Sequence, residues 1–307
     1  MAHVFVTRQL PGNALERLAA GHDVEVWPGD VPPPRDALLA GVADAEGLLS
    51  LLVDRVDAEL IDAAPKLRAI ANYAIGFDNI DVEAAIARGI QVGNTPDVLT
   101  DATADLAWGL MLAVARRIVE AHQDVRDGKW RTWEPQGWIG VDVHGATLAV
   151  VGAGRIGRAV AQRAAGFEME VLMVDLGDDL HAALERADFV SLHTPLTPET
   201  EHLIDAEALA RMKPTAILVN TARGPIVDQD ALLAALHEGR LGGAGLDVTD
   251  PEPLPADHPL LEAPNLLVVP HIGSATTTAR AAMADRAVDN LLAALDGKPV
   301  PYPVQPA

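Results

Sequence analysis

A short glycine-rich segment places the tightest constraint on the fold of this chain. Residues 152–157 read Gly-Ala-Gly-Arg-Ile-Gly, directly after an apolar run that begins at Thr147 and before an alanine-rich stretch typical of a helix. Gly152 allows a tight strand-to-helix turn, Gly154 lets a ligand approach the backbone, and Gly157 lets helix and strand pack closely. The segment therefore predicts a parallel α/β domain that binds a dinucleotide at a helix N-terminus.

An acidic residue further along the chain fits the same prediction. Asp175 closes the next apolar run, 18 residues after Gly157. This is close to the spacing of about 20 residues at which such folds place the carboxylate that binds the ribose hydroxyls. Because a carboxylate there repels a 2′-phosphate, Asp175 favours NAD over NADP.

Composition limits the partners that the protein can have. The chain has 307 residues, 49% of them hydrophobic, which is enough for about two globular domains. Forty-four acidic and 23 basic residues give a formal charge of −21, which argues against nucleic acid and anionic membranes as partners. The absence of cysteine excludes disulfides and thiolate catalysis, and no spacing typical of metal ligands is present, so we expect no metal. With no signal-peptide pattern and no membrane-length apolar stretch, we expect a cytoplasmic protein.

Short apolar runs alternate with helical segments along almost the entire chain. This rhythm predicts two doubly wound, parallel-sheet α/β domains of the Rossmann type with a ligand cleft between them. We expect a flavodoxin-like substrate domain over residues 1–98 and 288–307. An inserted dinucleotide-binding domain is expected over 99–287, introduced by one long helix over 101–122.

Polar side chains follow three predicted strands in the second half of the chain. They are Arg223, Glu252 and His271. Because carboxyl ends of parallel strands share one sheet edge, we expect the three side chains to lie close together. A guanidinium can bind a carboxylate bidentately, an imidazole can exchange a proton with a carbonyl oxygen, and a glutamate can orient the imidazole and favour its protonated form.

These segments together closely resemble the D-isomer-specific 2-hydroxyacid dehydrogenases, and within them the glyoxylate and hydroxypyruvate reductases. The resemblance spans nearly the whole chain. It is carried by the glycine turn at 152–157, Asn-Thr-Ala-Arg-Gly at 220–224 with Val-Asp at 227–228, the stretch 242–248 with Glu-Pro at 252–253, and Pro-His-Ile-Gly-Ser-Ala-Thr at 270–276; for the reductase subgroup it also includes 71–81 and 94–100.

The resemblance implies a role for each candidate residue. Arg223 is expected to bind the substrate carboxylate, and His271 is expected to act as the acid/base, hydrogen-bonded to Glu252. The substrate pocket is implied to include Leu52, Val53, Ala74, Ile75 and Gly76, together with Arg223, His271 and Trp138. The implied cofactor contacts are Thr103, Gly152, Gly154, Arg155, Ile156, Gly157, Asp175, Thr194, Pro195, Thr221, Ala222, Arg223, Asp247, His271 and Gly273.

The predicted activity is NAD(P)H-dependent reduction of glyoxylate or hydroxypyruvate to the D-2-hydroxy acid, with a small-molecule substrate and a homodimeric enzyme. The alternatives are a D-3-phosphoglycerate dehydrogenase, another D-2-hydroxyacid dehydrogenase, or an NADH-sensing binding protein of the corepressor type. Trp138 resembles an aromatic residue that this subgroup inserts into the neighbouring subunit's active site. A core or dimer-interface tryptophan is the other interpretation.

The chain departs from the family pattern after Asp175. Only 13 residues lead from Asp175 to Asp188, which is about fifteen fewer than the family pattern at the adenosine pocket of such folds. Unless the sequence omits a segment, this predicts a more open adenosine pocket.

Overall fold

The computed structural model describes residues 1–304 and divides into two compact units. The first unit comprises Met1–Leu99 and Ala275–Ala307, and the second comprises Thr100–Ser274. The expected return to the first domain at 287/288 therefore differs from the structure, where the chain crosses back before its last helix begins. Residues 305–307, which the expected substrate domain included, lie outside the described residues.

The first unit is a five-stranded parallel sheet covered by helices. Its strands follow the order β2-β1-β3-β4-β5, and the side chains of Asp57 and Asp81 cap the N-termini of two of its helices. The elements are β1 (His3–Val6), α1 (Ala14–Ala19), β2 (Asp23–Val26), α2 (Arg35–Val42), β3 (Gly47–Ser50), α3 (Ala58–Ala63), β4 (Ala69–Asn72), α4 (Val82–Ala87), β5 (Gln91–Gly93) and, at the end of the chain, α11 (Thr277–Leu295).

Helix α11 explains why the second crossing precedes position 277. It is continuous over 19 residues and buries one apolar face, which includes Met283, Val288 and Leu291. This face packs on β3, β4 and α1 of the first unit. Because dividing the helix at 287/288 would split that buried face, the whole helix belongs to the first unit.

The second unit is a six-stranded parallel sheet of the Rossmann type. Its strand order is β11-β10-β9-β8-β6-β7, so the chain reverses its direction of travel across the sheet between the neighbours β6 and β8. The elements are α5 (Thr100–Ala115), α6 (Ile118–Arg126), β6 (Thr147–Val151), α7 (Arg155–Ala164), β7 (Glu170–Val174), α8 (Leu180–Arg186), β8 (Phe189–Leu192), α9 (Ala206–Arg211), β9 (Ile217–Asn220), α10 (Gln229–His237), β10 (Gly243–Leu246) and β11 (Leu266–Val268).

The two faces of the second sheet bury separate hydrophobic cores. Along β6, Ala149 and Val151 belong to one core, whereas Leu148 and Val150 belong to the other. This alternation follows from the two-residue period of a strand, and burial on both faces explains why the strands are nearly continuous apolar runs. Most polar residues of this sheet therefore lie at the ends of its strands.

The single helix expected over 101–122 is wrong, because the structure forms two helices there. α5 ends at Ala115, and Arg117 adopts a left-handed conformation with φ 51° before α6 begins at Ile118. Nε and Nη2 of Arg117 donate to the Glu120 carboxylate, both at 2.9 Å. The guanidinium also lies 4.7 Å from the ring centroid of Trp138. These contacts hold the break, and an unbroken helical pattern in the sequence does not reveal them.

Membrane-spanning helices and clustered metal ligands are both absent from the described residues. Among residues 1–304, no helix is both long enough and apolar enough to cross a membrane. Within the same range, no group of three or more histidine, aspartate or glutamate side chains is placed to hold a metal ion.

Candidate active site

The glycine segment forms the predicted turn between β6 and α7. Gly152 has φ 102°, and a Cβ atom there would lie 2.6 Å from the carbonyl carbon of His193. A Cβ atom on Gly157 would overlap the carbonyl oxygen of Gly152. By contrast, a Cβ atom on Gly154 would meet nothing within 4 Å. Gly152 and Gly157 are thus required by the fold itself, whereas Gly154 faces open space at the start of the helix.

The N-terminus of α7 lacks the side-chain cap that the next three helices have. The side chains of Asp179, Asp205 and Asp228 cap α8, α9 and α10 by accepting a backbone N–H. α7 begins at Arg155 after Gly154, with no side-chain cap. Its first N–H groups and the positive end of its dipole are therefore suited to a phosphate group.

Two buried hydroxyl groups near this turn lack a partner. They are Oγ1 of Thr194, which follows β8, and Oγ1 of Thr221, which follows β9, and neither has a hydrogen-bond partner within residues 1–304. Buried polar atoms are normally paired, so an unpaired hydroxyl at the carboxyl edge of a Rossmann sheet fits a bound ligand. With the uncapped helix and the open face at Gly154, these atoms suit a dinucleotide.

Asp175 lies in an exposed acidic turn at the end of β7. Asp175 Oδ1 accepts from the N–H of Leu176 at 3.0 Å, and Asp178 Oδ2 accepts from the N–H of Asp175 at 2.8 Å. Asp179 follows at once and caps α8. The connection from β7 to α8 is as short as the sequence indicated, and three carboxylates lie in it. Leu176 is 92% exposed, which gives the turn an open surface.

The three predicted catalytic side chains follow three neighbouring strands. Arg223 follows β9, Glu252 follows β10 and His271 follows β11, and these strands are adjacent and parallel in the sheet. The Asn220 side chain shapes the segment before Arg223, because its Nδ2 donates to the carbonyl oxygen of Arg223 at 2.8 Å and its Oδ1 accepts from the N–H of Ala222 at 3.0 Å. The backbone that carries Arg223 is thus fixed by the strand end itself.

His271 and Glu252 form a hydrogen-bonded pair. Nδ1 of His271 lies 2.5 Å from Oε1 of Glu252, and both side chains are less than one third exposed. His271 has φ 51°, a left-handed conformation that is unusual for a residue with a side chain. Because Glu252 engages Nδ1, Nε2 is the ring nitrogen that remains for a substrate. The pair has the geometry of an oriented acid/base.

Asp247 bonds to the backbone of the segment that carries His271 and to the end of the neighbouring strand β9. Its carboxylate accepts from the N–H of Ile272 at 2.6 Å and from that of Gly273 at 2.8 Å. Its main chain donates to the carbonyl oxygen of Asn220 and accepts from the N–H of His271, both at 2.9 Å. Burial raises the pKa of Asp247, while the two N–H donors and nearby His271 act in the opposite direction. The sequence predicted Asp247 only as a cofactor contact and missed this structural role.

The remaining predicted cofactor residues of the second unit lie at the same sheet edge. Arg155 and Ile156 form the first turn of α7, Pro195 follows Thr194, and Ala222 precedes Arg223. Thr103 lies on α5, close enough that a Cβ atom on Gly273 would be 3.3 Å from its Oγ1. The structure therefore brings Thr103 beside the segment that carries His271.

In the first unit, the predicted substrate residues lie on two loops that follow β3 and β4. The carbonyl oxygens of Ala74, Ile75 and Gly76 accept hydrogen bonds from Thr95 N, Asn94 Nδ2 and Asn72 Nδ2, respectively. The N–H groups of the same three residues donate to no backbone acceptor within residues 1–304. Three successive N–H groups without a backbone acceptor in that range are available to donate to an anion. Leu52 and Val53 lie on the other loop, and Val53 is exposed.

Trp138 lies in the second unit, on the long loop between α6 and β6. It is 38% exposed, with Arg117 stacked on its ring. This placement excludes a tryptophan fully buried in the core. Its expected insertion into a neighbouring subunit stays a prediction.

Comparison with known proteins identifies the family. Residues 108–273 match the NAD-binding domain of the D-isomer specific 2-hydroxyacid dehydrogenases. The chain belongs to the D-isomer specific 2-hydroxyacid dehydrogenase family. It is similar to a glyoxylate reductase of Thermococcus kodakarensis, with 49% identity over 315 residues that cover 97% of this chain and 94% of the relative. This family membership makes the protein an NAD(P)-dependent D-2-hydroxyacid dehydrogenase that acts on a small 2-keto or 2-hydroxy acid.

Solved structures support the same assignment. A protein from Thermus thermophilus is 52% identical, with a TM-score of 0.94 over 99% of this chain and 100% of that one. An NADPH-dependent glyoxylate/hydroxypyruvate reductase from Sinorhizobium meliloti, in complex with NADP and malonate, is 32% identical, with a TM-score of 0.85 over 99% of this chain and 96% of that one. The dehydrogenase therefore takes a nicotinamide dinucleotide as its cofactor.

The Thermococcus relative is the longer of the two over the span that they share. The 315 aligned positions exceed the 307 residues of this dehydrogenase, so the relative carries residues that this chain lacks within the aligned span.

Proposed function

We propose that this protein reduces glyoxylate and hydroxypyruvate to the corresponding D-2-hydroxy acids, with NADH as the hydride donor. The cofactor supplies a hydride to the keto carbon when bound, and the keto oxygen takes up one proton. The observation that carries the proposal is the hydrogen bond between His271 Nδ1 and Glu252 Oε1 at 2.5 Å. It belongs to a chain that is 49% identical to a glyoxylate reductase.

His271 is proposed as the proton donor to the keto oxygen. The Glu252 carboxylate fixes the ring orientation by its hydrogen bond to Nδ1, so that Nε2 carries the proton to be transferred. After reduction, the neutral ring is ready to take up a proton from solvent. Asp247 assists by holding the main chain of this histidine and of the two residues after it.

Arg223 is proposed to bind the substrate carboxylate and to polarise the keto group. Its guanidinium has the planar fork that matches a carboxylate, and Asn220 fixes the main chain that carries it. Binding the carboxylate in one orientation lets hydride and proton reach the same carbonyl group.

The loops of the first unit are proposed to bind the same class of ligand. The N–H groups of Ala74, Ile75 and Gly76 suit a carboxylate, because their carbonyl oxygens are held by other donors. Leu52 and Val53 are proposed to contact the remainder of the substrate.

We propose NAD as the preferred cofactor over NADP. Three carboxylates in the turn at 175–179 would face the adenosine ribose, and a 2′-phosphate there would be repelled. Because the Sinorhizobium relative depends on NADPH, the cofactor preference of this chain has to be measured directly.

We also propose a homodimer assembled through the second unit. Trp130 and Trp133 are 70% and 79% exposed, and Ile118, Val119 and Val125 are exposed on α6 nearby in sequence. Large exposed apolar side chains in such numbers are typical of an interaction surface. Trp138 lies on the same loop, and its action across the interface stays a prediction. The expected cytoplasmic location also stays a prediction.

The test is a spectrophotometric assay of NADH and NADPH oxidation with a panel of 2-keto acids. We expect turnover with glyoxylate and hydroxypyruvate, faster with NADH than with NADPH. The His271→Ala variant should still bind NADH detectably and show little turnover, while His144→Ala, which changes an exposed histidine, should behave like the wild type.

Other outcomes point to the alternatives. Selective turnover of 3-phosphohydroxypyruvate would indicate a phosphoglycerate dehydrogenase. If neither cofactor is oxidised with any acid although both bind, the binding-protein interpretation gains support over the reductase.

A further inference from the structure

We propose that Asn79 is a positioning residue for substrate binding. Its side-chain amide holds the loop after β3 in a fixed arrangement relative to the loop after β4. This inference rests on the proposed function, because it assumes that residues on these loops bind the 2-keto acid. It assigns a role to a residue that the sequence placed only within the segment 71–81, and that itself touches neither the cofactor nor the reacting atoms.

Asn79 donates to the loop that carries Leu52 and Val53. Its Nδ2 donates to the carbonyl oxygen of Leu51 at 3.0 Å and to that of Asp54 at 2.9 Å. The two carbonyls flank the predicted substrate residues, so one amide group spans the whole turn. The Asp54 carboxylate closes the turn from within by accepting from the N–H of Leu51 at 2.7 Å.

Asn79 is also tied to the loop that presents the three N–H groups. Its Oδ1 accepts from Asn72 Nδ2 at 3.0 Å, and the same nitrogen donates to the carbonyl oxygen of Gly76 at 2.8 Å. Asn72 is fully buried, and its Oδ1 accepts from the hydroxyl of Ser50 at 3.1 Å. A continuous set of hydrogen bonds therefore runs from Gly76 through the two asparagines to Leu51.

Among the described residues, 1–304, backbone hydrogen bonds join the two loops only near their ends. Tyr73 N donates to Ser50 O at 2.8 Å, and Val56 N donates to Asn79 O at 2.9 Å. Between these points the Asn79 side chain provides the link. Loss of its two donations would leave the loops in place but let the substrate residues shift relative to the N–H groups.

The expected kinetic effect follows from what these loops do. If they bind the substrate equally in the ground state and the transition state, loosening them raises KM and leaves kcat nearly unchanged. Loss of two hydrogen bonds, partly expressed in substrate binding, corresponds to about a tenfold rise in KM. A merely structural asparagine would lower stability without this separation of KM from kcat.

The experiment compares Asn79→Asp and Asn79→Ala with the wild type. The first variant removes both donations at nearly constant shape, and the second removes the side chain without adding charge. Gln91→Glu is the matched control in the same unit, since Gln91 Nε2 donates to the carbonyl oxygen of Lys298 at 3.1 Å and lies at the amino end of β5. For each protein we would measure KM and kcat for glyoxylate, and the Kd of NADH. Urea stability and the Kd of oxalate at saturating NADH complete the comparison.

We expect both Asn79 variants to raise KM for glyoxylate and the Kd of oxalate by about tenfold. Their kcat should stay within about threefold of the wild type, and NADH binding and the Gln91→Glu variant should be unaffected. Unchanged KM and oxalate binding in both Asn79 variants would overturn the inference, as would a fall in stability alone. If the wild type binds oxalate but reduces no keto acid, the proposed function fails, while weaker oxalate binding in the variants still supports the role of Asn79.

Discussion

His193 gives a prediction whose size follows directly from the structure. Its Nε2 lies 2.8 Å from the hydroxyl of Ser191, a residue of β8 that is fully buried. Burial lowers the pKa of His193 from 6.5 to about 4. The folded protein therefore keeps this imidazole neutral at pH values at which the unfolded chain would protonate it.

The sign of the effect follows from proton binding in the two states. Below pH 6.5 the His193 imidazole of the unfolded chain binds a proton, whereas in the folded protein the same ring stays neutral down to about pH 4. The free energy of unfolding therefore falls as the pH is lowered through this window, by about 1.4 kcal/mol per pH unit. Between pH 6.5 and about pH 4, this one group lowers the free energy of unfolding by about 3 kcal/mol in total. Above pH 6.5 it causes no such loss.

The assay is urea-induced unfolding at several pH values from about 8 to about 4, for the wild type and for His193→Gln. Glutamine keeps a group that can bond to Ser191 but does not titrate. Below pH 6.5 the free energy of unfolding of this variant should therefore fall less steeply than that of the wild type, by the amount given above. The His144→Gln control, which changes an exposed histidine, should keep the wild-type slope. Equal slopes for the wild type and His193→Gln would refute the assignment of a neutral, buried imidazole.

Three further substitutions test the site. Glu252→Gln keeps an acceptor for His271 but removes the charge, so kcat/KM for glyoxylate should fall about tenfold to a hundredfold, with an unchanged Kd of NADH; a wild-type kcat/KM would contradict the pairing. Asp175→Ala should raise the ratio of kcat/KM with NADPH to that with NADH by about tenfold; a constant ratio would remove the argument for NAD from this carboxylate. Gly157→Ala puts a methyl group against the carbonyl oxygen of Gly152 and should lower the urea stability by more than about 2 kcal/mol, whereas a stability equal to wild type would show that helix and strand can separate without cost.

Much of the second unit is predictable from the sequence because its signals are local. The glycine turn, the run into β6 and the position of Asp175 depend on residues within one β-α-β segment. Residues Arg223, Glu252 and His271 were predicted to share an edge from parallel-strand geometry, and they follow adjacent strands in the structure. Their catalytic roles stay predictions until variants are measured.

The features that the sequence did not reveal depend on contacts between distant segments. The break at Arg117 is held by stacking on Trp138, which is 21 residues away in the chain. The role of Asp247 depends on N–H groups at 272 and 273, and that of Asn79 on carbonyl groups at 51 and 54. An asparagine or aspartate at a strand end is a weak signal in one sequence, because such residues also serve as ordinary caps.

The adjacency of β9, β10 and β11 carries a consequence for how this enzyme can change. Neighbouring strands lie about 4.8 Å apart, so the main chains bearing Arg223 and His271 are about two strand widths apart. Asp247, on the strand between them, bonds to both flanking segments. The sheet therefore sets the spacing between the two residues proposed to bind the carboxylate and the adjacent carbonyl group of the substrate. Mutations can change which other substituents the enzyme accepts more readily than they can change its requirement for this pair of groups. Redesign toward longer acids should therefore begin at Leu52 and Val53, and should leave Asp247 unchanged.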